Sequence, residues 1–322
     1  MQPERGRRLR ERRVRFGSVR RVQIAALPRI GLSVGDPAGI GPEIVERAVR
    51  APRVTEVCEP LVYRPEPVGA AGAFPPGVAT AAGGRAAFDV VCRAANDALR
   101  GRLDGIATGP VNKTALRLAG LPWRGHTDLL AHLTGASDVA MMFHADRLRV
   151  VLATVHIPLA EVPAQLTRQR VERTIELAAS ELPRFGYPAP RLAVAGLNPH
   201  AGEQGLMGCE DEQVLRPAID ALHARGIDVR GPLPGDTVFV RAVNGEFDAV
   251  VACYHDQGLI PVKLIAFGRA VNVTLGLPIV RTSVDHGTAY DIAGKGTADP
   301  ASMIEAVRLA AKLAGTRDAA VT

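Results

Sequence analysis

The sequence predicts an α/β protein: mainly parallel sheets flanked by helices, with an antiparallel insertion near 139–155. Three observations carry this. Apolar runs of strand length alternate with amphipathic stretches of helix length along the chain. Several of those runs are continuously apolar, as strands buried on both faces are. The 33 glycines and 24 prolines supply the tight turns that such alternation needs.

Ordered chain is expected from about Pro28. "RIGLSV" (29–34) reads as a buried strand and "GDPAGIGPEIVERAVR" (35–50) as a turn feeding a helix. "PLVYRP" offers a strand within the Pro/Gly/Ala-rich stretch 58–82. The segment 84–100 is an amphipathic helix with Phe88, Val91, Cys92, Ala95 and Leu99 on one face. "DGIAT" (104–108) is a short strand, followed by the loop "GPVNK" and a helix from about Thr114. "VAMMFHA" (139–145) and "LRVVLATV" (148–155) read as a β-hairpin turning at Asp146-Arg147. A helix over 167–182, a strand at 191–196, helices over 210–225 and 236–243 and a strand at 248–253 follow. Two further strands, "AVNVTLG" and "IVRTSV", precede a last helix over about 300–313. No internal repeat or heptad pattern is present.

The net charge of +6 does not indicate a nucleic-acid-binding surface. Residues 1–21 carry nine arginines against Glu4 and Glu11, a net of +7, which leaves −1 for the rest. The arginine stretch lacks aromatics and any folded pattern, so residues 1–28 are expected to be a disordered basic tail, or sequence upstream of the true start. No apolar run approaches the roughly 18 residues of a membrane span, and no secretory signal is evident. Four cysteines (58, 92, 209, 253) show no CxxC spacing and are expected to be buried free thiols in a reducing cytoplasm.

Three predicted strands end in a histidine: His156 after "VVLATV", His200 after "LAVAGLNP" and His255 after "VVACY". Ligands of α/β sheets sit beyond the carboxyl ends of strands, and three neutral imidazoles there suit one divalent metal. A single histidine at a strand end is more often a structural, hydrogen-bonded residue; three in the same context balance the two readings. "GHTDLL" places His126 and Thr127 either at an anion-binding helix N-terminus or beside an ordinary cap. Lys263, Asn272 and Arg281 recur at nine-residue intervals, and two of them are cations suited to a phosphate or carboxylate. "DHGTAYDIAGKGTADP" (285–300) is a glycine-punctuated loop with Asp285, His286, Asp291 and Lys295. No GxGxxG follows a strand, which disfavours a Rossmann dinucleotide fold.

"HGTAYDIAGKGTADP" resembles the cofactor loop of isocitrate and isopropylmalate dehydrogenases. Together with "GDPAGIGPEI", "TGPVNK", "GHTD", "NPHAGE", "GPLPGDTVF" and "YHDQGLIPVK", in the same order over about residues 29–315, it resembles the 4-hydroxythreonine-4-phosphate dehydrogenase family of pyridoxal phosphate biosynthesis. Two features depart from the family pattern: the arginine tail, and a short 51–82 stretch lacking the usual strand followed by "GD".

The resemblance implies an isopropylmalate-dehydrogenase-like fold, with residues 29–322 forming two intertwined α/β subdomains and a cleft between them. It implies a homodimer with its active sites at the interface and no nucleic-acid or membrane partner. NAD or NADP is the implied cofactor, with Asp285, His286, Gly287, Asp291 and Gly294 at its site. One divalent ion (Zn, Mg, Co or Mn) is implied at His156, His200 and His255, drawn from both subunits. His126, Thr127, Lys263, Asn272 and Arg281 are implied to hold a phosphorylated hydroxy amino acid. For proton transfer the candidates are Lys263, Asp256 and Asp236, the last being equally a helix N-cap. Relatives acting on phosphorylated threonate or erythronate, or on cyclic dihydrodiols, share the expected site.

Overall fold

The structure, a computed structural model, describes residues 26–66 and 74–319. The arginine-rich stretch therefore lies outside the described residues. Ten strands form one sheet among these residues. They are β1 (Arg29–Ser33), β2 (Glu59–Tyr63), β3 (Gly105–Thr108), β4 (Ala140–Ala145), β5 (Leu148–Leu152), β6 (Leu192–Ala195), β7 (Val229–Leu233), β8 (Ala249–Ala252), β9 (Val271–Leu275) and β10 (Arg281–Ser283). Their order is β2-β1-β3-β10-β9-β4-β5-β8-β6-β7.

The pairings divide the sheet into two parallel blocks. In one, β2, β1, β3 and β10 run together. In the other, β5, β8, β6 and β7 do. Between them lie β9 and β4, each antiparallel to both neighbours. Three successive reversals from β10 to β5 mean that the two blocks run in opposite directions. The expected hairpin at 139–155 is present, and it is half of this junction; the other half, β9, extends the antiparallel part beyond the predicted insertion. The predicted strand at 148–155 ends at Leu152, although Ala153 and Thr154 still donate to the carbonyls of Ala252 and Cys253.

Strand β7 was not expected from sequence. "VRGPL" carries an arginine and a Gly-Pro pair, which weaken a strand pattern. Its place at the sheet edge explains the tolerance: one side of its backbone needs no ladder partner.

Helices cover both faces: α1 (Gly41–Val49), α2 (Ala81–Leu99), α3 (Lys113–Leu118), α4 (His126–Thr134), α5 (Arg168–Glu181), α6 (Arg216–His223), α7 (Val238–Val243), α8 (His255–Ala266) and α9 (Ala301–Ala319). A wide π-type turn, Asp211–Leu215, opens the predicted helix over 210–225. The strands feed the two sides alternately, as a period of two requires. Val151, Val194, Val251 and Val273 pack toward α5, α6 and α9, whereas Val150, Leu152 and Val250 pack toward α7 and α8. A third cluster joins α2, β3 and α4. Helix α8 lies very close to β5: a Cβ on Gly258 would sit 2.7 Å from Leu152 and 2.8 Å from Val150. No described helix is long and apolar enough to cross a membrane. All four cysteines are free; Cys58 and Cys253 are buried, Cys92 is half-buried, and Cys209 is exposed, contrary to the expectation for it.

Candidate active site

Helix α8 begins directly after β8, at His255. His255, Leu259 and Lys263 recur four residues apart, so one stripe of the helix presents all three. That stripe lines a cavity of about 990 Å³. The adjoining stripe points outward: Leu264 is 85% and Phe267 80% exposed, with Ile260 beside them.

At one end of the cavity sits Arg281, on β10 and only 2% exposed. Its guanidinium donates to Thr108 Oγ1 (2.8 Å) and Thr274 Oγ1 (2.9 Å). Among the described residues no carboxylate lies within ion-pair distance of it. Burial alone pushes its pKa down to about 9, so it remains a cation, but one whose desolvation is uncompensated. Two more unsatisfied polar atoms lie on the same wall: Asn272 Oδ1 and His126 Nε2 are buried without partners. Burial, and then Arg281, hold the His126 imidazole well below its usual pKa, so it is neutral. Thr127 lies beside it at the start of α4, whose N-cap is Gly125. The cap alternative for this segment is thus decided: no side chain caps α4, and Asp128 instead accepts from the Arg124 N–H. An uncompensated cation, a helix N-terminus and orphaned polar atoms together suit an anion.

On the α8 side, His156 and His255 face each other with ring centroids 5.6 Å apart and planes inclined by 40°. Asp256 Oδ1 is 2.7 Å from His255 Nδ1, which leaves Nε2 as the free ring nitrogen. Burial, then Lys113 and His255, lower the pKa of His156, favouring the neutral form that binds metal. The two imidazoles therefore fit a divalent cation. They are not a complete set: among the described residues no three His, Cys, Asp or Glu side chains of one chain are arranged to hold a metal.

His200 stands apart. The chain from His200 to Gln204 has φ of 53°, 54°, 79°, 43° and 58°, a run of left-handed backbone in which Gly202 is the single glycine. Each non-glycine residue there costs about 1–2 kcal/mol, so the turn holds on the order of 4–8 kcal/mol of strain. His200 is exposed and outside the cavity lining. So is Asp236, which is not a helix cap either: the N-cap of α7 is Thr237. Asp256, its side chain 74% exposed, borders a smaller recess shared with His156 and His255.

The glycine-rich loop divides likewise. Asp285, His286 and Gly287 line the large cavity. Asp285 is held by Ser302, whose Oγ donates to its carboxylate at 3.1 Å. Asp291 and Gly294 are exposed and lie outside the lining. That part of the loop is pinned to α1 and to the turn before it: the Gly294 N–H donates to Glu43 on α1 (2.6 Å), and the Tyr290 hydroxyl to Asp36 in the turn.

Three cations around the cavity, Arg117, Arg124 and Arg170, were missed from sequence; a fourth, Lys113, was not. Lys113 follows the quoted "GPVN" loop, where Asn112 caps α3 by accepting from the Ala115 N–H. Its place at the mouth of a helix after a strand marked the loop from sequence either as a phosphate or carboxylate holder or as an ordinary βα turn. The others sit on helix ends or loops, where solvated arginines are ordinary. Gln257 was also missed. Its amide accepts from the Cys253 N–H and donates to the Gly196 carbonyl, both at 2.7 Å, tying the end of β8 to the end of β6.

The chain matches the family model described as pyridoxal phosphate biosynthetic protein PdxA over residues 42–310. It is 46% identical to the 4-hydroxythreonine-4-phosphate dehydrogenase of Desulforapulum autotrophicum, over 88% of this chain and 95% of that one. It is 44% identical to the D-threonate 4-phosphate dehydrogenase of Cupriavidus necator, over 90% and 98% of the two chains. The crystal structure of 4-hydroxythreonine-4-phosphate dehydrogenase from Klebsiella pneumoniae superposes with a TM-score of 0.81 at 40% identity, covering 90% of this chain and 99% of that one. In fold alone, the chain is also similar to a β-decarboxylating dehydrogenase from Thermococcus kodakarensis (TM-score 0.51, 19% identity, 86% and 81% covered). The expected isopropylmalate-dehydrogenase-like fold is therefore present, and the chain belongs to the PdxA family of pyridoxal phosphate biosynthetic proteins.

Proposed function

We propose that the chain oxidises 4-phosphooxy-L-threonine at its 3-hydroxyl, using NAD or NADP and a divalent metal, and releases 3-amino-2-oxopropyl phosphate after decarboxylation. One observation carries the reading: a buried, unpaired Arg281 shares a cavity with a facing imidazole pair. The phosphate is assigned to Arg281, Asn272, His126 and Thr127. His156 and His255 are assigned to the reacting carbon, and Asp285, His286 and Gly287 would hold the nicotinamide. The exposed part of the loop, at Asp291 and Gly294, would hold the adenosine half.

A divalent metal (Zn, Mg, Co or Mn) held by His156, His255 and His200 would supply a lowered pKa for the substrate hydroxyl, and a nicotinamide held by the 285–294 loop would supply the hydride acceptor. The residues manage protons and orientation. The hydroxyl proton passes to a carboxylate, Asp256 or Asp236. Oxidation leaves a ketone β to the carboxylate. The C1–C2 bond breaks, its electrons pass to the C3 oxygen as CO₂ leaves, and Lys263, on the cavity wall two turns beyond His255, returns a proton to C2.

The same reading makes the enzyme a homodimer. The exposed apolar stripe Ile260, Leu264 and Phe267 needs a cover. His200 and Asp236 are read as completing the site across that interface, Asp256 staying beside its own His255, with the two oppositely directed strand blocks as the subdomains flanking the cleft. Four free thiols suit a cytoplasmic location.

A second reading, D-threonate 4-phosphate as substrate, has an observation in its favour. Among the described residues the two carboxylates lining the cavity, Asp128 and Asp285, are each engaged by protein donors, and none there is left free for an ammonium group. Cyclic dihydrodiols fit less well, since they carry no phosphate for Arg281. The test is formation of reduced nicotinamide with each phosphorylated substrate, with and without a chelator. Turnover of 4-phosphooxy-L-threonine that the chelator abolishes supports the first reading. Turnover of D-threonate 4-phosphate alone replaces it with the second, and no turnover with either removes both.

A further inference from the structure

The left-handed turn that carries His200 needs a restraint, because nothing local favours it. L-residues visit this region singly and not in runs. The structure supplies one group that touches the turn's base repeatedly. Asp211, fully buried at the start of the π-type turn, accepts from the Leu197 N–H (2.8 Å), the Asn198 N–H (3.1 Å) and the Asn198 side-chain amide (2.9 Å). The Asn198 carbonyl then accepts from the Ala201 N–H, inside the turn. The fit leaves no slack around the carboxylate. A Cβ on Gly196 would lie 2.8 Å from Ala201 and 2.9 Å from Asp211 Oδ1, and one on Gly202 would lie 3.2 Å from Asp211 Cβ. Asn198 is held a second time, by Glu210 Oε2 at 2.9 Å.

We infer that Asp211 is a positioning residue for metal binding: its carboxylate locks residues 197–204 in the left-handed turn and thereby sets the direction in which His200 leaves the subunit. This rests on the proposed role of His200 as the metal ligand supplied to the partner's imidazole pair. The physical content is pre-organisation. A five-residue segment free to relax to ordinary backbone would carry the ring several ångströms from its aim, and metal affinity would fall without any ligand being lost.

The experiment is a titration of the full-length, metal-stripped protein with Co²⁺ alone, read by visible absorption, alongside a thermal melt of each metal-free variant. Asp211→Asn keeps the shape but offers the two N–H donors an amide in place of a carboxylate. It is expected to weaken Co²⁺ binding at least tenfold and to alter the absorption bands. Adding Gln204→Gly, which removes one strained position, is expected to recover part of that loss. Asn198→Ala, which removes one of the three hydrogen bonds, is expected to give a smaller loss of the same sign, and it carries the test if Asp211→Asn does not fold. Wild-type affinity and spectrum in Asp211→Asn, or in Asn198→Ala where that variant carries the test, overturns the inference, whatever the melts do. His200→Ala separates the two levels: if it keeps wild-type Co²⁺ affinity, the ligand assignment itself fails, whereas its loss together with an unaffected Asp211→Asn defeats only the positioning role.

Discussion

The two ends of the cavity are built on different principles. The anion end stands on regular structure: Arg281 on β10, Asn272 on β9 and His126 at the head of α4, with Thr108 and Thr274 of neighbouring strands steadying the guanidinium. These groups all belong to one chain. The imidazole end stands on strand-to-helix junctions. It has two rings in place, while His200 sits on a strained turn at the surface. Backbone hydrogen bonds of a sheet can position a buried cation within a subunit. His200, as the proposed third ligand, would need its strained turn and, in the proposed dimer, a second copy.

Arg281→Met should break the first end and spare the second. Loss of the buried cation is expected to lower kcat/KM by roughly 10²–10³-fold, about 3–4 kcal/mol. Inorganic phosphate should stop raising the melting temperature of the variant, while Co²⁺ affinity stays within about twofold. A phosphate-dependent melt shift of wild-type size would place the anion elsewhere.

The converse variant is Leu264→Asp, on the exposed stripe of α8. A charge in an apolar interface core should shift the protein to monomer at micromolar concentration, read by sedimentation. Metal affinity should fall at least tenfold, with the phosphate melt shift retained. A monomer that keeps full metal affinity would show that the imidazole end needs no partner.

A smaller effect concerns acid. The pKa of His144, on β4, is pushed down to about 4, by burial first and then by Arg149 and Lys312. The unfolded chain takes up this proton below about pH 6.5 and the folded chain does not, so stability is full above that value and declines as pH falls toward 4. Burial lowers His126 in the same direction. For His144 alone the loss between pH 7 and pH 5 is about 2 kcal/mol, at 1.36 kcal/mol per unit. His144→Gln should flatten the decline in melting temperature of the metal-free protein over that interval. An unchanged slope would mean that His144 is protonated in the folded state.

Much of this was legible beforehand because it depends on local pattern. Arg281 stood out as a cation directly after the apolar "LPIV", where a solvated role was hard to sustain. His156 and His255 were marked by the apolar strands that deliver them. The face-sharing of His255 and Lys263 follows from helical spacing. Elsewhere the signal was absent. Asp211 reads as one acidic residue in "CEDEQ", and nothing in that pattern says that its carboxylate is fully buried under a turn fourteen residues away. Gln257 bridges two strand ends that only sheet order makes adjacent.

By itself, then, the chain's alternation of apolar and amphipathic segments determined an α/β sheet, its helices and the strand-end placement of three histidines, because hydrophobic period and turn chemistry are properties of neighbours in sequence. Tertiary structure alone decided that the two strand blocks run in opposite directions. It decided that Arg281 has no counter-ion among the described residues, and that His200 departs from the other two imidazoles on left-handed backbone. These outcomes depend on which distant segments meet, and on a strain that only a buried partner such as Asp211 offsets.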